Sequence, residues 1–169
     1  MTSPVLDAIH TRRSIRDFTT QTVEDSEVRA ILEAGIWAPS GLNNQPWRFV
    51  VVRDAQVRAR LAEQTSYCHI VLAAPVLIAV FLETSAMYDD LKDAQSAGAA
   101  IQNMLLATEA YGLGAVWLGQ ILKNHNAVRK ILDLPESLQL MAVVAIGHPA
   151  HRDQKSRRKP LEEFLIKEL

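Results

Sequence analysis

The chain is predicted to fold as a mixed α+β layer structure, a sheet of about four to five strands flanked by helices. Three observations predict it. Four short apolar segments, at 47–52, 76–81, 115–118 and 138–146, carry strand patterning. Helical periodicity fills the stretches between them. Of 169 residues, 49% are hydrophobic, enough to fill a core in a single domain spanning 1–169.

Each element has a local reason. Ser3 before Pro4 predicts an N-cap with proline in the first turn, opening a helix that ends near an arginine cluster. Thr22–Glu27 opens a second helix with acids in its first turn, complementing the helix dipole. Val28, Ile31, Leu32 and Ile36 recur at helical spacing as one buried stripe, and Pro39 closes it. Trp47–Val52 predicts a buried strand. Asp54 caps a short helix from Ala55 to about Glu63, and Ile70–Ala74 predicts a brief helix before Pro75. Val76–Phe81 is too uniformly apolar for an exposed strand. Lys92–Tyr111 predicts the longest helix, apolar on most sides, with Gly98 allowing close approach. A helix hydrophobic nearly all round is buried. In so small a chain that burial is easiest at a subunit interface, so a homodimer is expected. Gly112 and Gly114 end this helix, Ala115–Leu118 follows as a strand, Asn126–Leu132 as a helix, and Leu138–Ile146 as the last strand.

Composition excludes several function classes. A formal net charge of −1 argues against nucleic acid as the main partner, although His151–Lys159 is locally basic. Cys68 is the single cysteine, which excludes an intrachain disulfide and fits a reducing, cytoplasmic setting. Met1–Asp7 shows no basic region leading into an apolar stretch, so no signal peptide is expected. The longest apolar run, Val71–Leu82, is broken by Pro75 and too short to span a bilayer, so no membrane partner is expected. The five histidines show no paired metal spacing, and no metal is expected.

Two segments carry chemistry. Arg12-Arg13-Ser14-Ile15-Arg16 sets three guanidiniums and a hydroxyl in five residues. Cations at a solvated helix C-terminus would account for one or two of these arginines. They would not account for Ser14 and Arg16 just before the apolar Phe18. In an extended segment Arg12, Ser14 and Arg16 share one side, and arginine forks match phosphate oxygens. The second segment is Ala38-Pro39-Ser40-Gly41-Leu42-Asn43-Asn44-Gln45-Pro46-Trp47. Such residues build ordinary connectors, but three consecutive side-chain amides that donate and accept suit a flat ring with polar edges. Together the segments suggest a site for a phosphorylated heterocycle. Gly112–Gly119 is not a dinucleotide fingerprint, because Trp117 stands where the third glycine belongs and the segment opens a strand. Ser14 and Ser40 lack a nucleophile-elbow context, and no side chain is assigned as a catalytic acid or base.

These segments, with Ser96–Leu106, Gly112–Gly119 and Arg157–Glu163, occur in the order found in the nitroreductase family, which the chain resembles over nearly its whole length. The resemblance implies an FMN-dependent NAD(P)H oxidoreductase, an α+β homodimer with FMN at the subunit interface. It implies ping-pong hydride transfer from NADH or NADPH to flavin N5, then to a nitroaromatic, quinone or similar small-molecule acceptor. It further implies that Arg12, Ser14 and Arg158 hold the phosphate, with Arg13 nearby and Lys155 or Arg157 as substitutes for Arg158. Arg16 would approach the pyrimidine edge. Pro39, Ser40, Gly41 and Asn43 would reach in from the other subunit, and Trp117, Leu118 and Gly119 would pass along the ring. Some relatives carry an acid where this chain has Leu118, so any bond to the N5 region falls to backbone N–H. Alternatives on this fold are a flavin destructase or reductive dehalogenase, and a non-catalytic flavin-storage protein.

Overall fold

The computed structural model describes residues 3–169; Met1 and Thr2, the start of the segment expected to carry no signal peptide, lie outside the described residues. Pro4 starts α1 (Pro4–Thr11) after Ser3 at the N-cap position, where the Ser3 side chain makes no capping bond. Helix α2 (Asp25–Ile36) starts later than Thr22, because the Glu27 carboxylate accepts from the Glu24 N–H at 2.9 Å and closes a capping box. There follow β1 (Trp47–Val52), α3 (Ala55–Ala62), α4 (Cys68–Ala73), β2 (Val76–Glu83), α5 (Asp90–Ala110), β3 (Gly114–Leu118), α6 (His125–Ile131) and β4 (Leu138–Gly147). Asp54 caps α3, accepting from the N–H groups of Gln56 and Val57.

The four strands lie in the order β1-β2-β4-β3, and each neighbouring pair is antiparallel. Ser14 adds a single parallel bridge to Ala115 on the outer edge of β3. The bridge lies outside the four strands, so the sheet is antiparallel, not mixed as expected: every strand lies beside neighbours running the opposite way, which leaves no parallel strand pair.

Strands β2 and β4 are central, and both their faces are covered. Val76, Ile78, Val80, Val144 and Ile146 face α2 and α5 through Val28, Ile31, Ile101 and Met104. Leu77, Ala79, Phe81, Val143 and Ala145 face α3, α4 and α6 through Leu61, Ile70, Val71 and Val128. Each large side chain so buried contributes roughly 1.5–3 kcal/mol. Two-sided cover explains why these strands are uniformly apolar although the sheet is antiparallel.

Three expectations change. Strand β1 is only partly buried, since it is an edge strand with one neighbour, and Val51 is exposed. Ile36 leaves the buried stripe of α2 and is exposed. Gly35 takes the inward position instead, so close to α5 that an added Cβ would lie 2.9 Å from Met104 Cγ. Helix α5 buries Ala97, Ala100, Ile101, Met104 and Leu105, while Leu91, Gln95 and Gln102 on its other sides are exposed. Within one chain it is therefore not buried all round. Gly98 meets nothing closer than 3.8 Å, so intrachain packing does not demand it. Among the described residues no helix is long and apolar enough to cross a membrane.

Gly114 is required for a different reason than its place beside a short strand suggests. A Cβ there would fall 2.7 Å from the Ile15 Cβ, and Ile15 is fully buried. The group approaching this backbone is the side chain that plugs the arginine segment into the core. Gly114→Ala should therefore lower stability by roughly 1–3 kcal/mol through overpacking. Urea unfolding measures this; an unchanged midpoint would show that Ile15 yields freely.

Candidate functional site

The arginine segment leaves α1 extended, with Arg12 at φ −50°, ψ 131°. The Ile15 N–H donates to the Ala115 carbonyl at 3.0 Å, and the Ile15 side chain points inward. By strand alternation its neighbours Ser14 and Arg16 turn outward. The tail arrives from the opposite end of the chain. The Ala150 N–H donates to the Asp17 carbonyl at 2.9 Å, the Thr19 N–H to the His148 carbonyl at 2.9 Å, and Phe18 bridges Pro149.

Arg152 then clasps the Leu113 carbonyl at 2.9 Å and the Glu109 carboxylate at 3.1 Å. His151 sits between Asp153 and Asp17. Its hydrogen bond and attraction to Asp153, then those to Asp17, hold its pKa above the ordinary imidazole value.

The two ends meet in a cavity of about 410 Å³ lined by Arg12, Arg13, Ser14 and Arg16 from one segment and by Gln154, Lys155, Ser156 and Arg158 from the other. Five of these residues are cationic and none is acidic. A neighbouring cavity of about 440 Å³ shares Arg12, Arg13, Ser156 and Arg158 and adds His10 and Gln102.

The arginines divide their work. Arg13 donates to the carbonyls of His10 (2.6 Å), Arg12 (2.9 Å) and Gln154 (3.3 Å), so it fastens the tail to the end of α1. Arg158 donates to Ser156 Oγ and to the Arg157 carbonyl. Arg12 has no side-chain hydrogen bond among the described residues and is free to meet a ligand. Arg157, the other tail candidate, does not line either cavity, whereas Lys155 lines the first. Ser156 and Gln154 are additions. They sit inside a run of charges whose pattern reads as a solvated tail, so no local signal separates them from their neighbours.

The amide loop is strained and propped from below. Leu42, Asn43 and Gln45 all have positive φ, at 54°, 56° and 47°, an uncommon state for residues other than glycine. The Ser40 carbonyl accepts from the Asn43 N–H at 3.1 Å, and Ser40 Oγ from the Gln45 N–H at 3.1 Å.

The three amides, expected to face a ring together, have separate roles. Asn44 Nδ2 donates to Asp93 Oδ1 at 2.7 Å and to the Ala86 carbonyl at 3.0 Å. Gln45 Nε2 donates to the Asn43 carbonyl at 3.2 Å. The Asn43 amide is exposed, with no hydrogen bond among the described residues. Asp93 was not singled out from sequence; it is fully buried and also accepts from the N–H groups of Tyr88 (2.9 Å) and Asp89 (3.0 Å). Burial pushes its carboxyl up, but the hydrogen bonds from Asn44, Asp89 and Tyr88 outweigh burial and hold its pKa below 3.8.

Pro39, Ser40 and Gly41 line a cavity of about 310 Å³ that shares no residue with the cation cavities. One copy of the chain thus does not bring the loop to the cations. On β3, the exposed Trp117 lies on the α5 side, near Gly98. The Leu118 side chain is in the core beneath α6, which leaves its backbone to meet a ligand. Gly119 is exposed and opens a 3₁₀ turn, with nothing within 4 Å of an added Cβ. Among the described residues no group of three or more His, Cys, Asp or Glu could hold a metal ion.

A model of the nitroreductase family matches residues 9–67 and 62–148. A protein of Archaeoglobus fulgidus assigned as an NADH dehydrogenase/NAD(P)H nitroreductase is 35% identical over 153 residues, covering 89% of this chain and 87% of that protein. An NADH dehydrogenase of Thermus thermophilus is 34% identical, covering 98% of each chain. The crystal structure of a Desulfovibrio desulfuricans protein assigned as a nitroreductase, in complex with FMN, superposes with a TM-score of 0.95 at 54% identity. It covers 100% of this chain and 99% of that one.

The Asp93 post is testable through pH. A carboxylate held below its unfolded value adds stability that is complete above pH 3.8 and is lost as pH falls through the lowered folded value. Asp93→Asn should cost about 2 kcal/mol at pH 7, and its deficit against the parent should shrink toward pH 3. Urea unfolding at both pH values checks this; an equal deficit at both would remove the ionised carboxylate from the explanation.

Proposed function

Since this chain belongs to the nitroreductase family, we propose that it is an FMN-dependent NAD(P)H oxidoreductase that works as a homodimer, each chain a single FMN-binding domain. The observation that carries this is the cavity where both ends of the chain converge with five cations and no carboxylate. A phosphate monoester carries a charge of about −1.5 to −2 near neutral pH. Such a site suits it better than any neutral group.

When bound, FMN supplies the redox chemistry, taking hydride from NADH or NADPH and giving it to a nitroaromatic, quinone or similar acceptor in alternating use of one cleft. The chain supplies binding and electrostatics. Arg12, Ser14 and Arg158, with Lys155 beside them, hold the phosphate; Arg13 keeps the tail in place for them. Arg16 donates to the Ser14 carbonyl at 3.3 Å and is otherwise exposed. It places a cation where a reduced ring gathers negative charge. For a two-electron couple about 1.4 kcal/mol corresponds to roughly 30 mV, so this one contact shifts the potential usefully. The backbone of Leu118 and Gly119 and the face of Trp117 border the ring on the same chain.

Pro39, Ser40, Gly41 and Asn43 complete the site from the second copy. An apolar groove of about 480 Å³ supports the dimer, built from Pro4 and Val5 of α1, Ala34 and Trp37 at the end of α2, and Leu106 and Ala110 of α5. Trp37 is 85% exposed in the single chain. Apolar surface of this kind marks an interaction face. The connection between β2 and α5 is only Thr84–Asp89, half of it one 3₁₀ turn. That leaves no lid of the sort the destructase and dehalogenase alternatives use.

Two outcomes test the proposal. Arg12→Ala should weaken FMN retention at least about tenfold, the loss of one charge-assisted contact, while leaving apoprotein stability within about 0.5 kcal/mol. Full FMN occupancy of the variant after exhaustive dialysis would remove the phosphate role. Trp37→Glu should convert dimer to monomer by light scattering; an unchanged dimer mass would move the interface elsewhere.

A further inference from the structure

Between the Pro39–Gly41 loop and the start of α5 lies the 310 Å³ cavity whose lining differs in kind from the cation site. It contains one ammonium, one phenol ring, two serine hydroxyls and an amide. The Tyr88 ring rests directly on Gly41: an added Cβ would fall 2.0 Å from the Tyr88 hydroxyl. Glycine at 41 is thus what seats the ring. Lys92 Nζ stands 5.1 Å from the centre of that ring and makes no ion pair among the described residues. Gln95, one turn along α5, is exposed beside it.

The nearby carboxylates are committed elsewhere. Asp89 Oδ1 accepts from the Lys92 N–H at 2.9 Å, and Asp93 accepts from Asn44, Tyr88 and Asp89. Neither lines the cavity. The Lys92 charge acts on the buried Asp93 without a direct ion pair to it, and a flat aromatic surface next to such an ammonium selects ligands of one kind. The volume suits a single ring better than a dinucleotide.

We infer that Tyr88 and Lys92 form the acceptor subsite of the cleft, and that it takes an aromatic ring carrying a carboxylate. The ring stacks against Tyr88. The carboxylate meets Lys92, which acts as a point charge, with the Gln95 amide able to donate beside it. This rests on the proposed role of Pro39–Gly41 at the flavin of the second copy, because that role puts the cavity beside the ring. Lys92 is a specificity-determining residue here and takes no part in the chemistry.

The test uses the FMN-loaded protein with two probes that cannot be reduced, benzoate and benzamide. Binding is followed by calorimetry and by perturbation of the flavin absorption band. Benzoate should bind about tenfold more tightly than benzamide, the worth of one charge-assisted contact. Lys92→Met should bring that ratio close to one, and Lys92→Arg should keep most of it. With 4-nitrobenzoate and 4-nitrobenzamide as acceptors, the discrimination should lie in KM and not in kcat. Equal affinities in the parent, an unchanged ratio in Lys92→Met, or benzoate binding that leaves the flavin band unmoved would each overturn the assignment. FMN uptake and bleaching by NADH are read separately. Protein that takes up FMN yet shows no benzoate preference keeps the flavin proposal and loses this one. Protein that takes up no FMN loses both.

Discussion

The candidate cofactor site depends on a small set of main-chain hydrogen bonds that hold like charges together. Five cations in one cavity repel one another, and nothing in their own chemistry would gather them. They meet because the Ile15 N–H is bonded to β3, and because the Ala150 and Thr19 N–H groups tie the returning tail to the stretch around Asp17. Ile15, buried under Gly114, locks the first segment from the inside. Arg152 and Arg13 then tie the tail down by donating to carbonyls, which spends two guanidiniums on geometry. A bound dianion would relieve the remaining repulsion, so ligand binding and the order of the tail are thermodynamically linked.

The opposite side of the proposed cleft uses the reverse device. There a buried carboxylate organises neutral donors. Asp93 gathers Asn44 and two backbone N–H groups, and so fixes both the strained 42–45 turn and the Tyr88 segment. Three residues at positive φ cost energy, and a hydrogen-bonded, ionised acceptor beneath them offsets it. The cation edge is built near the chain termini, and the loop edge from residues 39–45 and their mid-chain support around Asp93. Because they line different cavities in one copy, a second copy is the simplest way to close a site around one flavin.

Much of the fold was legible because periodicity reports burial directly. Segments covered on both sides, such as 76–81 and 138–146, read as uniformly apolar, and their strands lie within a residue or two of the expected bounds. Where patterning misled, a neighbour decided. Ile36 has the right spacing for the core, but Gly35 lets α2 sit so close to α5 that the next position turns out to solvent. Trp47–Val52 has a buried strand's composition but is left with one partner. The arginine cluster and the amide loop could each be picked out as polar residues dense beyond the needs of a turn, whereas the tail read as a solvated run and took its part only from the family resemblance. The internal division of cluster and loop could not be read. Arg12 and Arg13 look alike in a string; Asn43 and Asn44 do too.

The amino-acid sequence by itself determined the layer architecture, the two chemistry-bearing segments and the family, because these rest on local pattern and on motif order. The resemblance already implied that Arg12 and Ser14 meet the tail near Arg158; tertiary structure alone decided that Gln154 and Ser156 join them, that Asp93 supports the loop, and that Lys92 stands over Tyr88. The reason is distance along the chain. Hydrogen bonds between Arg13 and Gln154 or Asn44 and Asp93 join residues separated by 141 and 49 positions. Contacts of that span leave no periodic trace and exist only once the sheet has brought its edges together.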